Sequence, residues 1–251
     1  LLQDAIDCGC KKVVYTSSTA IFGIPGELPI RRSTEPTPCE PYGRSKVKSE
    51  SLCKEFIEKG LDVTLVRPRT IMGHGRLGIF QMLFEWIREG RNVPVMGDGN
   101  NTFQFIHAHD LADACILAAE HKGPQVYNIG TDRFGTMRET LEALCRHANT
   151  GSKVKSVPEA PVRWMMAGAE KLRISPLGAY HYMAYGKPNY FDVSDAVNEL
   201  GWKPKYSNEE MMIASYDWYV QNRDAVLSSK YGSPHRSAVK QGVLGVLIGF
   251  L

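Results

Sequence analysis

The chain has 251 residues, 43% hydrophobic and 23% charged, which is enough apolar material for one large domain or two small ones and too much for a disordered chain. The formal net charge of +3 comes from scattered basic residues, which argues against a nucleic-acid partner. Six cysteines, at 8, 10, 39, 53, 115 and 145, form no Cys-x-x-Cys pair and no zinc-spaced cluster, so they read as reduced thiols of a cytoplasmic protein with no metal site.

The opening, LLQDAIDCGCKK, holds too short an apolar run for a signal peptide. It reads as a helix over 1–9 that ends at Gly9, with Lys11 and Lys12 just past its negative end. Since Leu1 already sits inside a helical pattern, the start of the protein is expected to be missing. KVVYTSS is a continuous β-branched run, the mark of a parallel strand covered on both faces. Residues 23–41 contain five prolines and read as a long loop. A helix follows over 42–59 and stops at Gly60. LDVTLVRP is a second buried strand, ended by Pro68. The glycine-rich GHGRLG leads into an amphipathic helix over 79–89. VPVMGDGNNTFQFIH is extended, with a turn at Gly97–Asn101. DLADACILAAEH is a helix capped by Asp110 or His109. QVYNIG is a third buried strand, and 136–148 is a further helix. Residues 150–207 read as irregular and 208–222 as a helix. No internal repeat is apparent.

Strands alternating with helices predict an α/β fold with a parallel sheet. Ligands of such sheets bind beyond the carboxyl ends of the strands. That rim receives TSST after the first strand and RPRT after the second. Tyr42 precedes Lys46 by one helical turn, so the two share a helix face. A free phenol keeps its proton to about pH 10, and losing it near neutrality takes about 4 kcal/mol of differential stabilisation. A lysine ammonium one turn away supplies part of that. TSST offers a hydroxyl to hold a substrate oxygen. Tyr-x-x-x-Lys alone is a weak pattern. The ordered series gives it weight: strand, serine-rich turn, proline-rich loop, Tyr-x-x-x-Lys helix, strand and Arg-Pro rim.

That series resembles the extended short-chain dehydrogenase/reductase family, in its NAD-dependent epimerase/dehydratase branch. VVYTSSTAIFG is similar to the family's serine strand and PYGRSKVKSE to its active-site helix. VRPRTIMGHG is similar to its loop beside the nicotinamide, and GDGNNTFQFIHAHDLADA to the return into the nucleotide domain. YNIG resembles the strand after that, and FDVSDAVNELGWKPKYS the usual C-terminal stretch. The resemblance covers about residues 1–222. It implies a Rossmann-like, doubly wound parallel sheet whose first strands are missing, with a smaller C-terminal substrate-binding subdomain. On this reading 1–75 and 103–135 belong to the dinucleotide-binding domain. Residues 76–102 and 136–222 form the substrate subdomain, and 223–251 are a tail.

The resemblance also implies roles. Ser18, 24 residues before Tyr42, orients the substrate. Tyr42 is the general acid/base, and Lys46 binds the nicotinamide ribose and eases loss of the phenolic proton. Ser17, Arg67 and Pro68 join Tyr42 and Lys46 around a bound NAD or NADP. Four departures qualify this. The glycine-rich dinucleotide fingerprint is absent, so these residues alone are expected to hold the cofactor poorly. Thr19 and Ala20 stand where water-eliminating members carry an Asp-Glu pair, which disfavours dehydration. Thr70 replaces an asparagine used near the substrate diphosphate, and Phe103 replaces an arginine there. Both are taken as substrate-side residues. Arg69, Arg76 and Arg133 are candidate replacements, each read first as an ordinary surface arginine.

The expected function is therefore an NAD(P)-dependent oxidoreductase-type enzyme, first a nucleotide-sugar epimerase or related sugar-modifying enzyme. The alternatives are a 3β-hydroxysteroid-like or lipid-alcohol dehydrogenase, suited by Thr70, Phe103 and IFQMLF, and a non-catalytic NAD(P)-binding module. His107, His109 and Asp110 read as a helix cap, not a metal site. Lys187 and Tyr190 read as a surface turn, and Trp86, Trp164, Trp202 and Trp218 as packing. Residues 230–240 are basic and GVLGVLIGFL is uncharged and ten residues long, about half a bilayer span. That pattern predicts at most weak membrane-surface contact. A homodimer is the expected assembly.

Overall fold

The chain runs through α1 (Leu2–Asp7), β1 (Lys12–Thr16), α2 (Pro41–Glu58), β2 (Asp62–Pro68), β3 (Thr70–Met72), α3 (Phe80–Arg88), β4 (Val93–Met96), β5 (Thr102–Phe103), β6 (Phe105–His107), α4 (Ala108–Glu120), β7 (Gln125–Ile129), β8 (Gly135–Thr136), α5 (Met137–Ala148), β9 (Val154–Val157), α6 (Ser194–Leu200) and α7 (Asn208–Ser228). A short 3-10 turn covers Thr19–Phe22. This is a computed structural model, and it describes residues 1–78, 80–159 and 186–228. Trp164 and the basic-then-apolar stretch 230–251 lie outside the described residues. Among the described residues no helix is long and apolar enough to cross a membrane.

Two compact units divide the chain. The first is Leu1–Ile71, Gln104–Asp132 and Asn189–Tyr206, and the second is Met72–Phe103, Arg133–Pro188 and Ser207–Leu251. The sequence pattern puts 189–206 with the later region, but the structure gives it to the first unit. Long-range hydrogen bonds explain the difference: the Phe191 and Asp192 amides donate to Gln104 Oε1 and to the Ile30 carbonyl.

In the first unit β1, β2 and β7 form a parallel sheet in the order β1–β2–β7. Tyr15 lies beside Leu65, and Val66 beside Tyr127. Side chains alternate between the faces. Val13, Tyr15, Val63, Leu65 and Val126 cluster with Cys53 and Phe56 of α2. Val14, Val66, Tyr127 and Ile129 pack with Ala114 and Ala118 of α4 and with Trp202. With helices on both faces, the central strand β2 is buried from Val63 to Pro68 and its apolar residues fall on both sides, whereas β1 is half-buried over Lys12–Tyr15. α2 opens on Pro41, whose fixed φ and missing N–H suit the first helical position.

Three local expectations need correction. α4 is capped by His107, whose Nδ1 accepts from the His109 amide, and not by His109 or Asp110. Asp110 is fully buried inside the first turn, and its carboxylate accepts from the Lys205 and Tyr206 amides. Burial pushes the Asp110 carboxyl up, against those two amides. Residues 150–207 are not wholly irregular, since β9 and α6 fall within them. α7 extends to Ser228, past the expected end.

The second unit pairs β4 with β9 in parallel and β5 with β8 antiparallel. α5 begins with a capping box: Thr136 Oγ1 accepts from the Glu139 amide, and Glu139 Oε2 accepts from the Thr136 amide. Phe84 of α3 meets Tyr216 of α7 edge-on, with ring centroids 5.7 Å apart. Beside that contact Glu85 accepts from Arg223, Arg88 and the Tyr219 hydroxyl. Burial alone would raise the Glu85 carboxyl, but these donors outweigh it and bring it down to about 2. Glu85 is thus an ionised clasp between α3 and α7. Trp86 is buried, and Trp218 stacks on His74 at 6.4 Å.

Candidate active site

The carboxyl ends of β1 and β2 adjoin. The Ser17 amide donates to the Val66 carbonyl at 2.7 Å, which carries the pairing one residue past β1. Ser17 is buried at 4% exposure, and its hydroxyl oxygen has no hydrogen-bond partner among the described residues. Ser18 caps the short 3-10 turn: its Oγ accepts from the Ala20 amide at 3.2 Å. A hydroxyl has one proton and two lone pairs, so this contact fixes the oxygen and leaves the proton to donate elsewhere.

The first turn of α2 stands against this serine turn. Gly43 makes the approach. A methyl group there would lie 2.3 Å from the Ala20 carbonyl oxygen, closer than any real contact. Tyr42, next to Gly43, is 53% exposed. Lys46, one turn on, donates to the Thr16 carbonyl at 2.9 Å and to the Tyr15 hydroxyl at 3.3 Å. Its ammonium is 6.0 Å from the Tyr42 ring centroid. Ser17, Ser18, Tyr42 and Lys46 therefore gather where β1 ends and α2 begins. The structure adds Tyr15, a second phenol on the lysine, which the motif reading passed over.

The Arg-Pro rim differs from expectation. Arg67, expected at the cofactor, is 4% exposed and makes a two-pronged contact with Glu50 of α2, at 3.0 and 2.6 Å. Its third contact is the Arg32 carbonyl. All these bonds run inward, so Arg67 ties α2 to β2. Pro68 ends β2 beside Ile129, and Thr70 opens β3 half-buried. Arg69 is not a surface arginine: at 2% exposure it donates to Thr19 Oγ1, to Asn189 Oδ1 and carbonyl, and to the Gln104 carbonyl. Arg133 is half-exposed and pairs with Glu210 at 2.9 Å. Phe103 belongs to the second unit, is 7% exposed, and its carbonyl accepts from Asn208. Lys187 is exposed, and the Tyr190 carbonyl accepts from the Ile30 amide. His107 stacks on Tyr206 at 3.9 Å as it caps α4. No group of three or more His, Cys, Asp or Glu suited to a metal occurs among the described residues.

Glu50 and Gly43 escaped the motif reading, and Arg69 entered it only as a candidate diphosphate ligand or surface arginine. Glu50 falls on the Tyr42–Lys46 face at the next four-residue step, and strand alternation aims Arg67 at that face.

A model of the NAD dependent epimerase/dehydratase family matches residues 1–130, just over half the chain. The chain belongs to that family. This epimerase/dehydratase chain is 49% identical over 248 residues to the uncharacterized protein y4nG of Sinorhizobium fredii, covering 98% of itself. It is 28% identical over 240 residues to the UDP-glucose 4-epimerase GEPI48 of Cyamopsis tetragonoloba, covering 85% of itself. It spans 62% of the length of each. Among solved structures it is similar to a Thermotoga maritima UDP-glucose 4-epimerase with UDP-glucose. The TM-score is 0.71 at 24% identity, over 89% of this chain and 68% of the other, and this likeness extends to the fold.

Proposed function

We propose that this epimerase/dehydratase chain is the catalytic part of an NAD(P)-dependent nucleotide-sugar epimerase, with Tyr42 as general acid/base. The observation that carries the reading is the gathering of Ser18, Tyr42 and Lys46 where β1 meets α2, with the Lys46 ammonium 6.0 Å from the Tyr42 ring. Relatives named as UDP-glucose 4-epimerases support the substrate class. The buried, partnerless Ser17 hydroxyl fits a cofactor at this rim, because such an oxygen costs about 1–3 kcal/mol until a donor or acceptor meets it. A bound nicotinamide supplies the acceptor, then the donor, of the substrate's hydride.

The chain's own residues handle the proton. Ser18 donates its hydrogen to the substrate oxygen, since its lone pair is engaged by Ala20. Tyr42 removes the hydroxyl proton from that oxygen and later returns it. Lys46, held by the Thr16 carbonyl, places a positive charge beside the phenol, and it would be the residue to hold the ribose of a bound nicotinamide. Thr19 and Ala20 offer no carboxyl to protonate a leaving hydroxyl, so epimerisation is favoured over dehydration. The lipid-alcohol reading leaned on Thr70, Phe103 and IFQMLF, and of these Phe103, Phe80, Met82 and Phe84 are buried side chains. The non-catalytic reading has to explain why Ser18, Tyr42 and Lys46 are all present. A cytoplasmic homodimer with weak membrane-surface contact through 230–251 completes the proposal on composition and family resemblance.

Lys46→Met is expected to weaken NADH binding to the full-length protein by about 10–100-fold, the worth of one charged hydrogen bond. It should also move the pH optimum of turnover upward. Fluorescence titration and a pH–rate profile check both. Unchanged affinity with an unchanged profile would remove Lys46 from the site.

A further inference from the structure

We propose that Arg69 is a positioning residue for the Ser18 hydroxyl and acts through Thr19. The guanidinium is 2% exposed and anchored on one side by carbonyl-type oxygens. Its Nε donates to the Gln104 carbonyl at 3.1 Å, its Nη2 to the Asn189 carbonyl at 2.8 Å, and its Nη1 to Asn189 Oδ1 at 2.7 Å. The Phe191 ring lies under it at 5.2 Å. Those anchors are themselves held. The Gln104 side chain donates to the Thr131 carbonyl and accepts from the Phe191 amide. The Arg69 amide donates to the Ile129 carbonyl at the end of β7. A planar, rigid fork on so many fixed points has little freedom.

From this base Nη1 also donates to Thr19 Oγ1 at 2.6 Å. Thr19 is the first residue after Ser18 and opens the 3-10 turn. The peptide that follows it supplies the Ala20 amide that holds Ser18 Oγ. The Ala20 carbonyl is backed by Gly43. The serine turn is thus clamped between the α2 backbone and a buried arginine. Gly43 sets its distance from Tyr42, and Arg69 sets its rotation. A plain structural crosslink would need no bond to Thr19, because Arg69 already meets three oxygens on Gln104 and Asn189. The added bond reaches the residue whose placement aims the reacting serine.

What Ser18 does rests on the functional reading above; how its turn is held does not. The test uses the full-length protein and three variants, Thr19→Val, Thr19→Ser and Ser18→Ala. Thr19→Val removes the acceptor and leaves Arg69 its other partners, so the melting temperature should barely move. Hydrogen exchange by mass spectrometry should show faster exchange across 18–22 in Thr19→Val, and wild-type protection in Thr19→Ser. Turnover of a UDP-hexose should fall about 10–100-fold in kcat with little change in KM, the cost of a misaimed group. In the Ser18→Ala background the same substitution should cost almost nothing further, since the two act as one unit. Unchanged exchange across 18–22 in Thr19→Val overturns the proposal, whatever the activity. An equal loss of kcat with and without Ser18 overturns it as well. Faster exchange in a protein that turns over no UDP-hexose supports the clamp and sinks the epimerase reading instead.

Discussion

Tyr42→Phe is expected to lower kcat of the full-length protein by at least about 10²–10⁴-fold, the usual worth of a general acid/base, with folding intact. The two halves of that expectation have separate causes. Tyr42 is 53% exposed at the first turn of α2, and removing one oxygen there opens no cavity. The contact that seats this turn is made by Gly43, not by the phenol. Around the reacting oxygen the phenol is the proposed proton carrier. Ser18 is engaged as a hydrogen-bonding hydroxyl, and Lys46 is tied to Thr16 and Tyr15. Steady-state kinetics beside a thermal melt check it. A variant with wild-type kcat would put the base elsewhere in the molecule.

Glu50→Gln is expected to cost about 3–5 kcal/mol of stability, the penalty for leaving a buried charge without its partner. Glu50 and Arg67 are each about 4% exposed as side chains, and the carboxylate meets the guanidinium at two points. An amide can accept one of those hydrogens but turns its own N–H₂ toward the other. The pair also bolts α2 to β2, so its loss loosens the helix that carries Tyr42 and Lys46. Replacing both partners with methionine should recover much of the stability, because an apolar pair needs no compensation. Urea unfolding of the single and double variants measures this. A loss below about 1 kcal/mol in Glu50→Gln would place the pair among weakly coupled surface contacts.

The sheet was legible because its strands are sandwiched. KVVYT, DVTLVRP and QVYNI each carry apolar residues at adjacent positions, Val13–Val14, Leu65–Val66 and Val126–Tyr127, so both faces of each strand need cover, and turns bound each run. Glycine at 60 marked the end of α2 in the same plain way, and its start fell within one residue of Pro41, which the sequence reading left in the loop. The α4 cap was not legible, since histidine is an uncommon cap and the sequence offered Asp110 close by. Asp110 is drawn inward instead by the amides of Lys205 and Tyr206, about 95 residues away, which no local pattern reveals. The same holds for 189–206, whose place is set by bonds to Gln104 and Ile30.

At the site, the motif named the residues that project from the rim and missed those that hold it. Arg67 and Arg69 both looked like candidate ligand arginines. Which way each points depends on strand parity, on Glu50 in another element, and on Asn189, 120 positions along the chain from Arg69. Gly43 looked like an ordinary helix residue until the Ala20 carbonyl was found against it.

The central claim is that this rim serves inversion of a carbinol carbon of a nucleotide sugar, in which hydride would leave the carbon for a bound nicotinamide and return to the other face while Tyr42 takes and returns the hydroxyl proton. The most direct measurement is proton NMR of a single UDP-hexose incubated with the full-length protein and NAD, with the absorbance of reduced cofactor followed in parallel. The account predicts that an epimer appears and settles at a ratio reached equally from either sugar, with no build-up of reduced cofactor. A sugar that stays unchanged while cofactor is bound, or that is oxidised in step with accumulating reduced cofactor, would contradict it.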